Sequence, residues 1–340
     1  MKTETGLSKR SDRTALRILA AIALVSATSA PAQPADPLPS WNDTASRRRI
    51  VEFVKTVTEP GGKGFVPPAE RIAVFDNDGT LWTEQPMYVQ LAFALDRVKA
   101  LAPQHPEWKT TAPFSAALAG DLKAVAASGE KGLLELVLAT HAGMTTDEFA
   151  ATAADWLSKA RHPRFGRPYT ETVYQPMLEL LAYLRANGFK TYLVSGGGVE
   201  MIRSFSERVY GVPPEQVVGS TIATEYRVKD GVPAIVRLPK VDFVDDKAGK
   251  PVGIQKFIGR RPILAFGNSD GDFQMLEWTT AGPGPRLGLI LRHDDAEREY
   301  AYDRKSPFGR LDKALDEAPG KGWQVVNMKG EWKAVFAAGP

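Results

Sequence analysis

An α/β fold, with a parallel sheet buried on both faces and a helical lobe inserted into it, is predicted by three features of this 340-residue sequence. Ile72–Phe75 is an unbroken apolar run of β-branched and aromatic residues, as expected of a strand covered on both sides. Two later runs, in Lys190–Gly198 and in residues 262–275, have the same character and also end abruptly in small or acidic residues. The stretch between the first two runs reads mainly as helices, over 88–100, 133–141 and Thr146–Lys159, the last with Asp147 and Glu148 near its start. With 43% apolar residues, the chain can bury one core and such a lobe.

The amino terminus comes first. Lys2, Lys9, Arg10, Arg13 and Arg17 form a basic region, and residues 18–25 are an apolar run too short to remain as a membrane span. Ala30-Pro31-Ala32 fits a small-residue cleavage site, with cutting before Gln33. Residues 1–32 are therefore expected to be a signal peptide and the remaining chain to be secreted or periplasmic, although an uncleaved signal anchor has the same ingredients. The five basic and two acidic residues of that segment carry the whole net charge of +3, leaving a formally neutral remainder. Nothing basic is left to favour nucleic acid or, once the signal is cut, a membrane surface. The chain has no cysteine, which suits an oxidising compartment without disulfides and excludes thiolate metal centres.

Residues 33–65 read as a linker and a helix over 41–57, with Ile50, Val51, Phe53, Val54 and Val57 as its buried stripe. The core is expected over 66–86 and 170–340, the helical lobe over 87–169. Residues 287–291 read as one more core strand, and the aromatic tail beyond (Tyr300, Tyr302, Trp323, Trp332) as a segment packed back onto the body. The four histidines, His105, His141, His162 and His293, have no metal-ligand spacing and are expected at the surface or in the lobe.

The chemistry gathers where the apolar runs end. After Phe75 come Asp76, Asn77, Asp78, Gly79 and Thr80; the two aspartates can converge on the crevice at the carboxyl end of a parallel sheet, with a cation or proton between them. An EF-type calcium loop is excluded, because Gly79 is fourth rather than sixth and the twelfth residue is Met87. The second run ends in Ser195, Gly196, Gly197 and Gly198, where a hydroxyl and bare backbone N–H groups can approach an anion. Lys250 precedes Pro251, a residue favoured at a helix start, and Lys247 lies three residues earlier. The third run breaks into Asn268, Asp270 and Asp272.

Together these four segments resemble the haloacid dehalogenase superfamily, whose motifs are D-x-D-x-T, a strand-terminal Ser/Thr, a Lys and a Gly-Asp acidic loop. The resemblance spans about residues 70 to 290. It implies a Rossmann-like parallel core with a C1-type helical cap, as in the phosphoserine phosphatase branch, and a phosphatase dependent on Mg2+. It further implies that Asp76 is the nucleophile, Asp78 the general acid and base, Ser195 a holder of a phosphoryl oxygen and Lys250 a charge neutraliser. Asp76, the Asp78 backbone carbonyl, Asn268 and Asp272 would form the metal site, and Thr80, Gly196 and Gly197 would lie against the substrate. Asp78 separates this chain from the dehalogenases, which lack an acid there. Asn268 departs from the family's pattern, which has an aspartate after Gly267, so Asp270 is an alternative ligand.

The implied substrate is a small phosphomonoester. Glu84 lies near the place where the phosphoserine phosphatase branch uses a carboxylate to hold a substrate ammonium, with a surface charge as its other reading. Trp82, beside a carboxylate, suggests phosphocholine through cation–π attraction, with a packing tryptophan as its other reading. Arg161, His162, Arg164 and Arg167 at the far edge of the cap are further specificity candidates. A phosphotransferase or mutase, and a non-catalytic binding protein, are the competing functions; the oligomeric state is left open.

Overall fold

Every residue of Ile72–Phe75 is buried in the computed structural model, and this segment is β1, in the middle of the sheet. The structure describes residues 36–337, so the expected signal segment lies outside the described residues. On one side of β1 lies β2 (Lys190–Gly198), on the other β5 (Leu264–Gly267), both parallel to it, with Phe75 opposite Leu193 and Phe266. Beyond β2 come β3 (Val217–Lys229) and β4 (Val232–Phe243); beyond β5 comes β6 (Leu287–Asp294), which pairs with β7 (Ala301–Tyr302) and with β8 (Gln324–Asn327). Parallel β1, β2, β5 and β6 all present their carboxyl ends on one edge, where such sheets bind ligands.

Helix α1 (Ala45–Thr58) starts four residues later than the sequence suggests, because the Thr44 hydroxyl accepts from the Arg47 N–H and sets the cap there. Trp41, freed from that helix, meets Trp332 edge to face at 6.0 Å. The cap consists of α2 (Val89–Leu101), α3 (Phe114–Ala119), α4 (Leu122–Ala127), α5 (Gly129–His141) and α6 (Thr146–Lys159). Helix α6 matches the predicted span, and Thr145 with Glu148 closes a reciprocal capping box. The short α3 and α4 were not foreseen; Phe114, stacked on Trp108 at 4.5 Å, anchors them in a small core of the cap's own. Helices α7 (Gln175–Ala186), α8 (Val199–Arg203), α9 (Ser206–Tyr210), α10 (Gly249–Phe257) and α11 (Phe273–Thr280) flank the sheet, and α12 (Lys313–Glu317) and α13 (Met328–Glu331) belong to the tail.

The long β3–β4 hairpin was also missed. It turns through Asp230 and Gly231, both with positive φ (52° and 80°), the conformation of a type I′ turn. Its second strand leaves the core and binds the cap: the Arg237 N–H donates to Met144 O and the Gly143 N–H to Arg237 O, both at 2.9 Å. The Arg237 side chain is buried, donates to His141 O at 2.8 Å and pairs with Glu200 at 2.7 Å. Desolvating a guanidinium is costly unless it is paired in this way. Among the described residues no helix is long and apolar enough to cross a membrane.

Candidate active site

The backbone turns sharply after β1. The Thr80, Leu81 and Trp82 N–H groups all point to Asn77 O, and Gly79 takes φ 75°. A side chain at Gly79 would run into both Glu84 and Asn268, so glycine is required there by space as well as by angle. This curl aims Asp76 and Asp78 into the crevice, while Asn77 is buried and accepts from the Tyr210 hydroxyl at 3.0 Å.

Lys250, on α10, reaches the same point from the other side of the sheet. Its ammonium donates to Asp76 Oδ1 and Asp272 Oδ1, each at 2.6 Å, and to Val194 O at 2.9 Å. All three of its protons are thus used. Burial disfavours this ammonium, but Asp272 and Asp76 outweigh burial and hold its pKa above the usual lysine range. Burial, then the Asp272 charge, pushes Asp76 well above the ordinary carboxylate range. Burial also raises Asp78, against a hydrogen bond from the Trp82 indole N–H at 2.9 Å. Lys247, by contrast, is exposed and left-handed (φ 51°), so Lys250 is the lysine of this site.

Asp272 is fully enclosed. Its second oxygen accepts from the Asn268 and Ser269 N–H groups, at 2.9 and 3.0 Å, so it braces the loop after β5 and holds Lys250. Asn268 accepts from the Thr80 hydroxyl at 3.1 Å and donates to Glu84 Oε1 at 2.7 Å. Asp270 does not enter the site: its carboxylate accepts the Asp312, Lys313 and Ala314 N–H groups at the start of α12. Of the two candidates left open by the sequence, Asn268 lies at the nucleophile turn and Asp270 lies away from it.

These groups form the floor of a cavity of about 400 Å³, lined among others by Asp76, Asp78, Glu84, Gly196, Gly197 and Lys250. A family model described as haloacid dehalogenase-like hydrolase matches residues 73–277, well over half of the chain. The chain belongs to that family. Among solved structures, this hydrolase is similar to a conserved protein of unknown function from Anaerococcus prevotii DSM 20548, with 16% identity, a TM-score of 0.53, and coverage of 78% of this chain and 95% of that one. It is also similar to a protein of unknown function from Bordetella pertussis Tohama I (16% identity, TM-score 0.48, 76% and 98% covered). A third is a phosphoserine phosphohydrolase-like protein from Francisella tularensis subsp. tularensis SCHU S4 (15%, 0.39, 74% and 98%). No curated protein matches the sequence.

Several expected contacts of the hydrolase are placed elsewhere. Trp82 does not line the cavity: it is buried, stacked on Phe205 at 4.6 Å, and serves Asp78 through its N–H. Thr80 is also fully buried and braces Asn268 rather than facing substrate. Ser195 lies just beneath the surface and accepts from the Gly197 N–H at 3.1 Å; Gly196 and Gly197 themselves face the cavity. The far cap edge turns away from the site. Arg164 donates to Ala296 O and Glu297 O, Arg167 lies over Phe336, Arg161 donates to Gly166 O, and His162 bonds Gln85 O. Three histidines are buried: His141 and His162 lie in the cap region, one of the two expected placements, and His293 lies in the core, which was not expected. His293 bridges Gly79 O (2.7 Å) and Glu299 (3.1 Å), which makes it a brace of the nucleophile turn.

The residues missed from sequence are Tyr302, whose hydroxyl donates to Glu84 Oε1 at 2.9 Å, Gln90, which accepts from the Gly198 N–H at 2.7 Å, and Asp246 at the cavity wall. Only Asp246 had a local signal, since it lies in the acidic pair ahead of Lys250.

The donor set suits a hard cation. Asp76 Oδ2 and Asn268 Oδ1 converge on the Thr80 hydroxyl, and the Lys250 ammonium is already shared by Asp76 and Asp272 with Asp78 and Glu84 close by, so a dication would offset the further carboxyl charge. Among the described residues no three His, Cys, Asp or Glu side chains form a metal cluster of their own. Asp272 accepts from Lys250 and from the Asn268 and Ser269 N–H groups, and so braces the loop after β5.

Proposed function

We propose that this hydrolase is an exported, magnesium-dependent phosphomonoesterase working through an aspartyl-phosphate. The observation that carries the reading is the meeting of Asp76, Asp78 and Lys250 at the floor of an open cavity, with Lys250 clamped between Asp76 and Asp272 at 2.6 Å each. Asp76 attacks phosphorus as the bond to the leaving alcohol breaks, and the Asp78 carboxyl gives its proton to the departing oxygen. The raised pKa of Asp78 suits that acid role. The Asp78 carboxylate then takes a proton from water as that water attacks phosphorus, breaking the ester to Asp76 and releasing phosphate. Lys250 offsets charge on the nucleophile, and the Gly196 and Gly197 backbone lets the phosphoryl group approach closely. Magnesium, held by Asp76, the Asp78 carbonyl and Asn268, would neutralise phosphoryl charge. Export rests on the basic and apolar pattern of residues 1–32.

Hydrolysis of a chromogenic aryl phosphate tests the reading. Turnover is expected with magnesium, is lost on chelation, and falls at least about a thousandfold in Asp76→Asn. Full activity of that variant refutes the nucleophile. Phosphorylated product on added alcohols would instead favour a phosphotransferase.

A further inference from the structure

We propose that the cavity selects phosphomonoesters of apolar alcohols, alkyl or single-ring aryl phosphates, a substrate class that rests on the phosphomonoesterase reading and narrows it. Asp76, Asp78, Glu84 and Lys250 sit at the cavity's floor, where the phosphoryl group is expected, and Asp246 is the charged group on its wall. Above that floor the walls are Tyr88 and Leu91 at and within the start of α2, Leu133, Leu134 and Val137 of α5, and Val244 just past β4. The cap and the segment after the hairpin thus contribute a largely apolar sleeve around the place of the leaving group, interrupted by Gln90 and Asp246. A cavity of about 400 Å³ is small for a ligand site and suits one ring or a short chain beyond the phosphoryl group.

Polar leaving groups find no matching partner. Among the described residues lining the cavity the basic side chain is Lys250 alone, and its three protons go to Asp76, Asp272 and Val194 O. A substrate carboxylate, such as that of phosphoserine, would enter a chamber that also holds Asp78, Glu84 and Asp246. Glu84, the expected ammonium partner, is 2% exposed and its Oε1 already accepts from Asn268 and Tyr302. Gln90, which could serve a sugar hydroxyl, is bonded to the Gly198 N–H and to His141. Polar groups entering the sleeve would lose water without replacement hydrogen bonds, whereas methylenes gain from burial.

A homologous series of n-alkyl phosphates from ethyl to hexyl isolates this effect, because the leaving-group pKa is nearly constant along it. The value of kcat/KM is expected to rise by up to about fourfold per methylene until the sleeve is full, with phenyl phosphate at least about tenfold above phosphoserine and glucose 6-phosphate. Leu134→Ser is expected to flatten the dependence on chain length; Leu134 is partly exposed, so the fold should tolerate the change. In parallel, calorimetry of n-alkylphosphonates with the Asp76→Asn protein and magnesium should show affinity rising with chain length. A flat series, or preference for phosphoserine or the sugar phosphate, overturns the proposal. Turnover with a flat series leaves the phosphomonoesterase reading standing and refutes the apolar sleeve. Phosphonates that tighten with length in a protein hydrolysing no phosphomonoester uphold the sleeve and refute the phosphomonoesterase.

Discussion

The Asn268 amide donates to Glu84 Oε1 at 2.7 Å, joining residues 184 positions apart. Where the resemblance leads one to expect an aspartate at position 268, this chain has a neutral amide with a buried carboxyl one hydrogen bond away. Burial pushes Glu84 well above the usual carboxylate range, against the hydrogen bond from Tyr302. Asn268→Asp would set two carboxyls side by side. In chelator that variant should melt lower by on the order of 2–4 °C per kcal/mol of repulsion, and its magnesium-induced rise in Tm should exceed that of the wild type. Adding Glu84→Gln should recover the lost Tm. Strictly additive effects in thermal melts would show that the two positions do not share charge.

Lys250→Met leaves Asp76 and Asp272 buried without their counter-ion. Loss of one partner from a buried pair costs roughly 3–5 kcal/mol. The pH dependence has a definite sign: burial and Asp272 raise the folded pKa of Asp76, so its protonated form is tolerated at low pH and the penalty grows as pH rises through that value. Urea midpoints in chelator should therefore separate variant from wild type more at pH 8 than at pH 5. An equal gap at both would contradict the charge explanation.

Trp82→Phe keeps the ring on Phe205 and removes the N–H that binds Asp78. Since that bond lowers the Asp78 pKa, its loss should shift the basic limb of the kcat/KM profile upward. An unshifted profile with a raised KM for a quaternary ammonium ester would return Trp82 to the substrate.

His141 gives a separate acid limb of stability. Burial, aided by Arg237 and Arg97, lowers its pKa to about 3, so the unfolded chain, with a value near 6.5, protonates first as pH falls. Its contribution is complete above about pH 6.5 and is lost progressively towards about 3, amounting to about 2 kcal/mol between pH 7.5 and 5. The stability gap between wild type and His141→Gln should narrow over that interval; parallel curves would refute it.

What was legible in the sequence was what local pattern dictates. Apolar runs that stop at Asp76, Ser195 and Asn268 identify strands buried on both faces and the edge where chemistry gathers. Helix α6 was readable from its amphipathic spacing and acidic first turn. The β3–β4 hairpin was not: its outer half exposes Tyr226, Val228 and Val232, so no inward face repeats, although the Asp230-Gly231 pair was the available signal. Tyr302 and Glu84 meet across 218 residues, and nothing in the neighbourhood of either betrays the contact. Trp82 left two readings open, because an indole next to a carboxylate serves equally to bind a cation or to orient that carboxylate, and its packing on Phe205 with its N–H on Asp78 favours the second.

The tail strand β8 and the hydroxyl of Tyr302 lie beyond residue 277, where the family match stops. A fragment cut at that boundary would keep every motif and yet expose one flank of β5, because β6 would be gone, and unseat Glu84. The smallest portable version of this enzyme, for fusion or display, therefore has to run on through Trp332, which closes the far side against Trp41.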